Sequence, residues 1–269
     1  MDLGLEDKTV MITGASGGIG SACARLFADE GAELVLHGFR HMGRLEELAD
    51  DLHAEPLMVQ ADLGEELEVE NIFEKAERQT AGVDVLVANA GQWPPEDTPV
   101  ADMSLERWEK VIRVDQTGVF LCAREFLKSL RARDADYASL ILIGSTAAVF
   151  GEENHAGYAA AKAAVTYGLT RTLKNEIVRI VPGGRVNAVC PGWTKTPMAE
   201  PGLNDEDAVR HALQTMALKR VGKPEDIARS VAYLSSPVAE HITGQILTVA
   251  GGMEGRRLHD PSEINPGEV

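Results

Sequence analysis

Short strand-like segments rich in apolar residues recur along the chain at Thr9–Thr13, Leu34–His37, Leu57–Gln60, Val83–Ala88, Leu140–Ile143, Arg185–Val189 and Ile246–Val249, and the one at Leu140–Ile143 is unbroken. Unbroken apolar runs of this length are what strands buried on both faces of a sheet look like. Between them, apolar residues return at helical spacing. Ser21–Ala28 has a helix pattern, and a charged amphipathic stretch covers 65–80. A long helix is predicted from Leu105 to Arg131, an Ala-rich one around Tyr158, and one at Pro224–Ser236, which opens with Pro and two acidic residues. Strands and helices alternate from end to end. This predicts an α/β fold: a parallel, doubly wound sheet of about seven strands with helices on both faces.

No composition break, linker or repeat divides the 269 residues. A single domain is expected over 1–253. It includes a polar, partly helical excursion at 198–222 and is followed by a polar tail at 254–269. Hydrophobic content of 44% and charged content of 25% are those of a globular protein. No apolar run approaches the ~20 residues of a membrane helix, and the acidic start has no signal-peptide pattern, so a cytoplasmic protein is expected. The formal charge of -16 argues against nucleic acid and anionic membrane as partners. Cys23, Cys122 and Cys190 form no CxxC pair and read as buried free thiols. The seven histidines form no metal-binding motif, so no metal is expected.

The candidate chemistry sits where the predicted strands end. After the first comes Gly14-Ala-Ser16-Gly-Gly18-Ile19-Gly20 and then a helix, an arrangement whose backbone N–H groups and dipole can cradle a phosphate. Its glycine spacing differs from GxGxxG. The second strand runs into Gly38-Phe39-Arg40 with no carboxylate, where a dinucleotide fold often places one for the adenosine ribose. Arg40 and Arg44 could meet a 2′-phosphate or be solvated helix-start residues. Asp62, before Leu63, could accept from an adenine amino group or cap a helix with Glu65 following. Ser145 ends the fifth run, where open α/β sheets bind ligands. Tyr158 and Lys162 share a helix face at i, i+4. A phenol beside an ammonium group is a proton-transfer device, because the cation favours the phenolate.

Taken together, these residues resemble the short-chain dehydrogenase/reductase family, in its compact single-domain type. The resemblance spans about 7–253. It rests on Thr13-Gly14-x3-Gly18-Ile19-Gly20, Asp62-Leu63, Asn89-Ala90-Gly91, Ser145, Tyr158-x3-Lys162 and Pro191-Gly192-x-Thr194-x-Thr196. It implies a seven-stranded Rossmann-type sheet, an NAD or NADP cofactor, and a homotetramer. It also implies roles. Tyr158 is the general acid or base, Lys162 binds the nicotinamide ribose and lowers the phenol's pKa, and Ser145 orients the substrate oxygen. Asn89–Gly91 line the cofactor pocket, and Thr194 and Thr196 contact the nicotinamide amide and the pyrophosphate. One position departs: Asp115 stands where the family usually has Asn in a water relay to the lysine. An ionised Asp115 near Lys162 would weaken the lysine's effect on Tyr158.

The expected activity is hydride transfer between the nicotinamide and a secondary alcohol or ketone of a small molecule. A 3-oxoacyl-thioester reductase is the alternative. A non-catalytic dinucleotide sensor fits less well, because a sensor needs no phenol-ammonium pair. An extended-type sugar-nucleotide enzyme fits poorly too, because little chain follows Gly192. The absent carboxylate at Gly38 and the presence of Arg40 leave room for NADP; apolar Phe39, which can pack beneath adenine, tips the balance to NAD. Substrate contacts are expected from a loop at about 192–222 with Trp193, and from Ser145, Trp93 and His155. Gln92, Ala147, Phe150, Glu152 and Met198 are further candidates. His155 could equally be a surface histidine. This mixed wall suits a hydroxylated or ring-bearing molecule better than a long acyl chain.

Overall fold

In a computed structural model that describes residues 2–52 and 55–264, seven parallel strands form one sheet. They are β1 (Thr9–Ile12), β2 (Glu33–Gly38), β3 (Leu57–Gln60), β4 (Val85–Ala88), β5 (Ser139–Ile143), β6 (Arg185–Pro191) and β7 (Ile246–Val249), in the order β3-β2-β1-β4-β5-β6-β7. Alternate residues of each strand supply opposite faces. Val10, Ile12, Leu34, Leu36, Val85, Val87 and Ile141 pack on one side with Phe27 of α1 (Gly18–Asp29). Met11, Val35, Leu86, Leu140 and Leu142 pack on the other with Phe73 and Phe126. The apolar runs of the central strands are thereby explained, since both of their faces are covered; the edge strands β3 and β7 are partly exposed. The order reverses between β1 and β4, so a crevice lies beyond the carboxyl ends of these two strands.

The remaining helices are α2 (Met42–Asp51), α3 (Glu66–Gln79), α4 (Leu105–Ile112), α5 (Val119–Ala132), α6 (Ala147–Phe150), α7 (Ala156–Ala163), α8 (Thr170–Ile177), α9 (Glu200–Leu203), α10 (Glu206–Gln214) and α11 (Pro224–Ser235). The helix expected from Leu105 to Arg131 is continuous but not uniformly α. A π-helical turn, Arg113–Gly118, joins α4 to α5, and a second, Ala164–Leu169, joins α7 to α8. Such wide turns cluster at functional sites. The first carries Asp115 and the second follows Lys162. Close packing marks the first turn: a Cβ on Gly118 would come 3.0 Å from the Leu63 carbonyl oxygen. Apolar periodicity could not register this, because one wide turn barely alters a three-to-four-residue spacing.

The excursion at 198–222 is pinned at its base by a bridge between Thr194 and Gly222. Asp205 caps α10 by accepting from the amides of Asp207 and Ala208. What was expected as a polar tail after Met253 docks on this excursion. The Leu258 amide donates to the Gln214 carbonyl at 2.6 Å, and Ile264 is buried with Val209, Leu213, Met216 and Val221. One buried apolar residue together with backbone bonds to Thr215 and Gln214 anchors it. Residues 265–269 of that tail lie outside the described residues. Cys23, Cys122 and Cys190 are free and buried.

Candidate active site

The loop between β1 and α1 is held in a strained, closely packed shape. Gly14 has φ 65°, and a Cβ there would lie 2.9 Å from Ala90 Cα, so both conformation and space call for glycine. Asn89 Nδ2 donates to the Thr13 carbonyl at 2.9 Å and the Gly14 carbonyl at 3.1 Å. The amides of Asn89 and Ala90 donate to Thr13 Oγ1. Asn89 therefore clamps the loop rather than pointing freely into the cofactor pocket. α1 starts at Gly18 with no side-chain cap and no acidic residue in its first turn. The N–H groups of Gly18, Ile19 and Gly20 precede the first intrahelical acceptor and are available to an anion. A Cβ on Gly18 would lie 2.6 Å from Thr196 Cγ2, so Thr196 closes over the same loop. Ser16 lies within this loop, half-buried.

The other cofactor candidates ring this cradle. Phe39 is part-exposed at the end of β2, and the Arg40 guanidinium stands 5.4 Å from its ring centroid. Asp62 is not the cap of α3; that position falls to Glu65. Asp62 instead makes a local turn, Oδ1 accepting from the Gly64 amide at 2.9 Å, while Oδ2 accepts from Arg113 Nη2 at 2.9 Å. Leu63 is buried beside it. Pro191 ends β6, the Gly192 amide donates to Val249, and buried Thr194 donates its hydroxyl to the Gly192 carbonyl at 2.9 Å.

Ser145, Tyr158, Lys162 and Asp115 converge beyond the end of β5. Ser145 is buried, and its Oγ accepts from the Ala147 amide at 3.1 Å. Lys162 Nζ donates to the Ile143 carbonyl at 3.1 Å and lies 3.8 Å from Asp115 Oδ2. Asp115 is fully buried; its Oδ1 accepts from the Gln92 amide at 2.9 Å, and its Oδ2 has no hydrogen-bond partner among the described residues. A Cβ on Gly91 would lie 3.0 Å from Asp115 Oδ2 and 3.1 Å from Lys162 Nζ, so the Asn89–Gly91 turn lids this pair. Burial pushes the Asp115 carboxyl up to about 6, against the pull of Lys162 and the Gln92 amide.

The expected lowering of the Tyr158 phenol by Lys162 is not what the geometry gives. Burial, the largest influence, drives the phenol well above its ordinary value, and the charges of Asp115 and Glu152 add to it; the Ser145 hydroxyl pulls the other way. Lys162 Nζ stands 5.7 Å from the ring centroid, its charge turned to Asp115 and Ile143. With these neighbours the Tyr158 phenol keeps its proton.

Of the substrate candidates, Trp93 and His155 stack at 4.5 Å with an interplanar angle of 11°. The Trp93 indole donates to Glu152 Oε1 at 2.8 Å. Both His155 ring nitrogens face backbone carbonyls, Pro94 at 2.8 Å and Glu153 at 3.1 Å, and the ring is 5% exposed. His155 is thus neither a surface histidine nor a free donor to substrate; it ties two loops of the wall together. Trp193 packs towards Gly202 and the cluster under α10, while Phe150 and Met198 are exposed.

Two positions of this framework escaped the sequence reading, and a third, Thr13, stood there only as part of a motif with no role given. His37 Nδ1 accepts from the Gly14 amide at 3.1 Å, with Nε2 3.0 Å from the Ala61 carbonyl. Arg113 holds Asp62, and Thr13 holds the Asn89 turn. A histidine inside an apolar run was the available signal for the first.

A family model described as enoyl-(acyl carrier protein) reductase matches residues 14–254. The cis-4-hydroxycyclohexanecarboxylate dehydrogenase of Sinomonas cyclohexanicum is 34% identical over 253 residues, covering 91% of this chain and 96% of its own. The 3-oxoacyl-[acyl-carrier-protein] reductase of Synechocystis sp. is 36% identical, covering 93% and 98%. Among solved structures, a short-chain dehydrogenase/reductase described as glucose/ribitol dehydrogenase, from Brucella melitensis, superposes with TM-score 0.86 at 34% identity, covering 94% of this chain and 99% of its own.

Proposed function

The chain belongs to the short-chain dehydrogenase/reductase family, and from that premise we propose that Tyr158 is its proton-transfer residue, acting on the oxygen of a secondary alcohol or ketone of a small molecule. The protein is an NAD(P)-dependent oxidoreductase. The observation that carries the reading is the convergence of Ser145, Tyr158 and Lys162 beside an uncapped α1 amino terminus that suits a pyrophosphate. The amides of Gly18, Ile19 and Gly20 would hold that pyrophosphate with Thr196, Phe39 and Asp62 would flank the adenosine, and Lys162 would meet the nicotinamide ribose. The nicotinamide, when bound, supplies or takes up the hydride. Ser145 Oγ holds the substrate oxygen, and Tyr158 gives it a proton in reduction or takes one in oxidation. Oxidation demands the phenolate, which burial and Asp115 oppose, so alkaline pH favours it.

NAD is the proposed cofactor, with measurable use of NADP because Arg40 stands beside Phe39. A ratio of kcat/KM for NADP over NAD above about 10, roughly 1.4 kcal/mol, would overturn that preference. A homotetramer in the cytoplasm is proposed as well. Exposed Phe120 and Val178 on the helical faces support association, and among the described residues no helix is long and apolar enough to cross a membrane. Light scattering that gives a monomer at micromolar concentration would refute the assembly. The experiment for the activity is nicotinamide absorbance followed across a panel of secondary alcohols and a 3-oxoacyl thioester. Turnover of alcohols alone supports the reading; turnover of the thioester alone supports the second one, which the names of relatives favour and the strongly acidic surface opposes for an acidic carrier.

A further inference from the structure

The wall of the cleft beside Tyr158 is built to accept hydrogen bonds. Glu152, in the loop between α6 and α7, has one carboxylate oxygen held by the Trp93 indole at 2.8 Å. Among the described residues its Oε2 makes no hydrogen bond, and the side chain is 32% exposed. Its Oε1 lies 4.0 Å from His155 Nδ1, and His155 lines one cavity with Tyr158, on whose phenol the Glu152 charge acts. Trp93 is in turn fixed by the stacked ring of His155, which gives the carboxylate a rigid support.

The neighbouring charges offset it only where His155, whose Nδ1 lies 4.0 Å from Glu152 Oε1, is protonated. Asp97 and Glu153 share these loops, and Asp97 stands 3.9 Å from His155 Nδ1. Arg107, the basic side chain from α4, is occupied by the carbonyl and carboxylate of Glu96. Each His155 ring nitrogen faces a backbone carbonyl, and the neutral ring has one N–H to give. Lys162 lies deeper, between Ile143 and Asp115. A substrate group reaching this wall meets an acceptor that cannot donate while ionised.

We propose that Glu152 is the specificity-determining residue of the substrate cleft, selecting alcohols that carry a second hydroxyl group and rejecting those that carry a carboxylate. The proposal rests on the catalytic reading above and names the substrate class for it. A second hydroxyl donates to Oε2, a charge-assisted bond of the stronger kind. A carboxylate placed there leaves two anions facing each other in a partly dry cleft. A thioester carbonyl finds no donor there.

The test compares kcat/KM for cyclohexanediol and hydroxycyclohexanecarboxylate in the wild type and in Glu152→Gln. The amide keeps the side chain's shape, and its oxygen still accepts from Trp93. The ratio of the two substrates cancels any common effect of the Glu152 charge on Tyr158. The wild type is expected to favour the diol by at least about 10-fold, and Glu152→Gln to collapse that ratio by a similar factor. A ratio unchanged by the substitution, or a wild type that prefers the carboxylate, overturns the proposal. So does an aminocyclohexanol that outruns the diol, because charge rather than the hydroxyl would then be selected. Tyr158→Phe on plain cyclohexanol is run alongside; activity surviving there refutes the catalytic reading, whatever the substrate ratio shows. Where turnover is slow, calorimetric binding of the same compounds to NADH-loaded protein gives the same ratio.

Discussion

Asp115→Asn isolates the charge that sits beside Lys162. Burial raises this carboxyl from 3.8 to about 6 even with Lys162 3.8 Å away. An acid whose folded value is raised binds its proton more tightly folded than unfolded. Its stabilising contribution is therefore full below about pH 4 and is lost as pH rises through about 6. A difference of about 2.2 pH units at about 1.4 kcal/mol each gives about 3 kcal/mol that the wild type loses across this window. The Asn variant has no such group to ionise. For a chain of this size 1 kcal/mol moves Tm by roughly 2–4 °C, so the variant's Tm advantage grows by roughly 6–12 °C between about pH 4 and pH 8. Differential scanning fluorimetry at both pH values measures it. Because the Asp115 charge also raises the phenol, the acidic limb of kcat/KM for alcohol oxidation moves to lower pH in the variant. A Tm gap equal at both pH values, with an unmoved acidic limb, would refute the electrostatic role and leave Asp115 as a backbone tie to Gln92.

His37→Ala strands the Gly14 N–H, and an unsatisfied buried donor costs about 1–3 kcal/mol. Cofactor KM is expected to rise with kcat at saturation little changed, and His37→Asn to recover affinity because its amide oxygen can take the place of Nδ1; an unchanged KM in the alanine variant would sink the clamp. Phe126, fully buried at the side of β5, should cost about 3–5 kcal/mol as Phe126→Ala, read as a urea midpoint shift at constant m; a cost under about 1 kcal/mol would show that the site is not packed as described.

The seven strands were legible because each is a short run rich in apolar residues; the central ones are covered on both faces, while the edge strands β3 and β7 are partly exposed. Their ends moved by one or two residues; β6, for example, runs on to Pro191. The cradle and the set of Ser145, Tyr158 and Lys162 were legible from residue type and order. What escaped depends on three-dimensional partners. The sequence flagged Asp115 as a competitor for Lys162 but could not give the 3.8 Å between them, which is set where Asp115 sits on a π-helical turn that spacing does not reveal. That His155 is buried with each ring nitrogen facing a carbonyl follows from the backbone of two separate loops. The docking of 254–264 turned on one buried apolar residue, Ile264, and on backbone bonds to Thr215 and Gln214 that no residue pattern announces.

Tyr158→Phe tests the central claim most directly, because it removes one hydroxyl and leaves the cradle, Ser145 and Lys162 in place. Steady-state turnover of a secondary alcohol is measured alongside NADH affinity by fluorescence titration. Turnover is predicted to fall by about 100- to 10,000-fold, the span a general acid-base group supplies, with NADH affinity nearly unchanged. A variant that turns over at the wild-type rate would contradict the assignment of proton transfer to Tyr158.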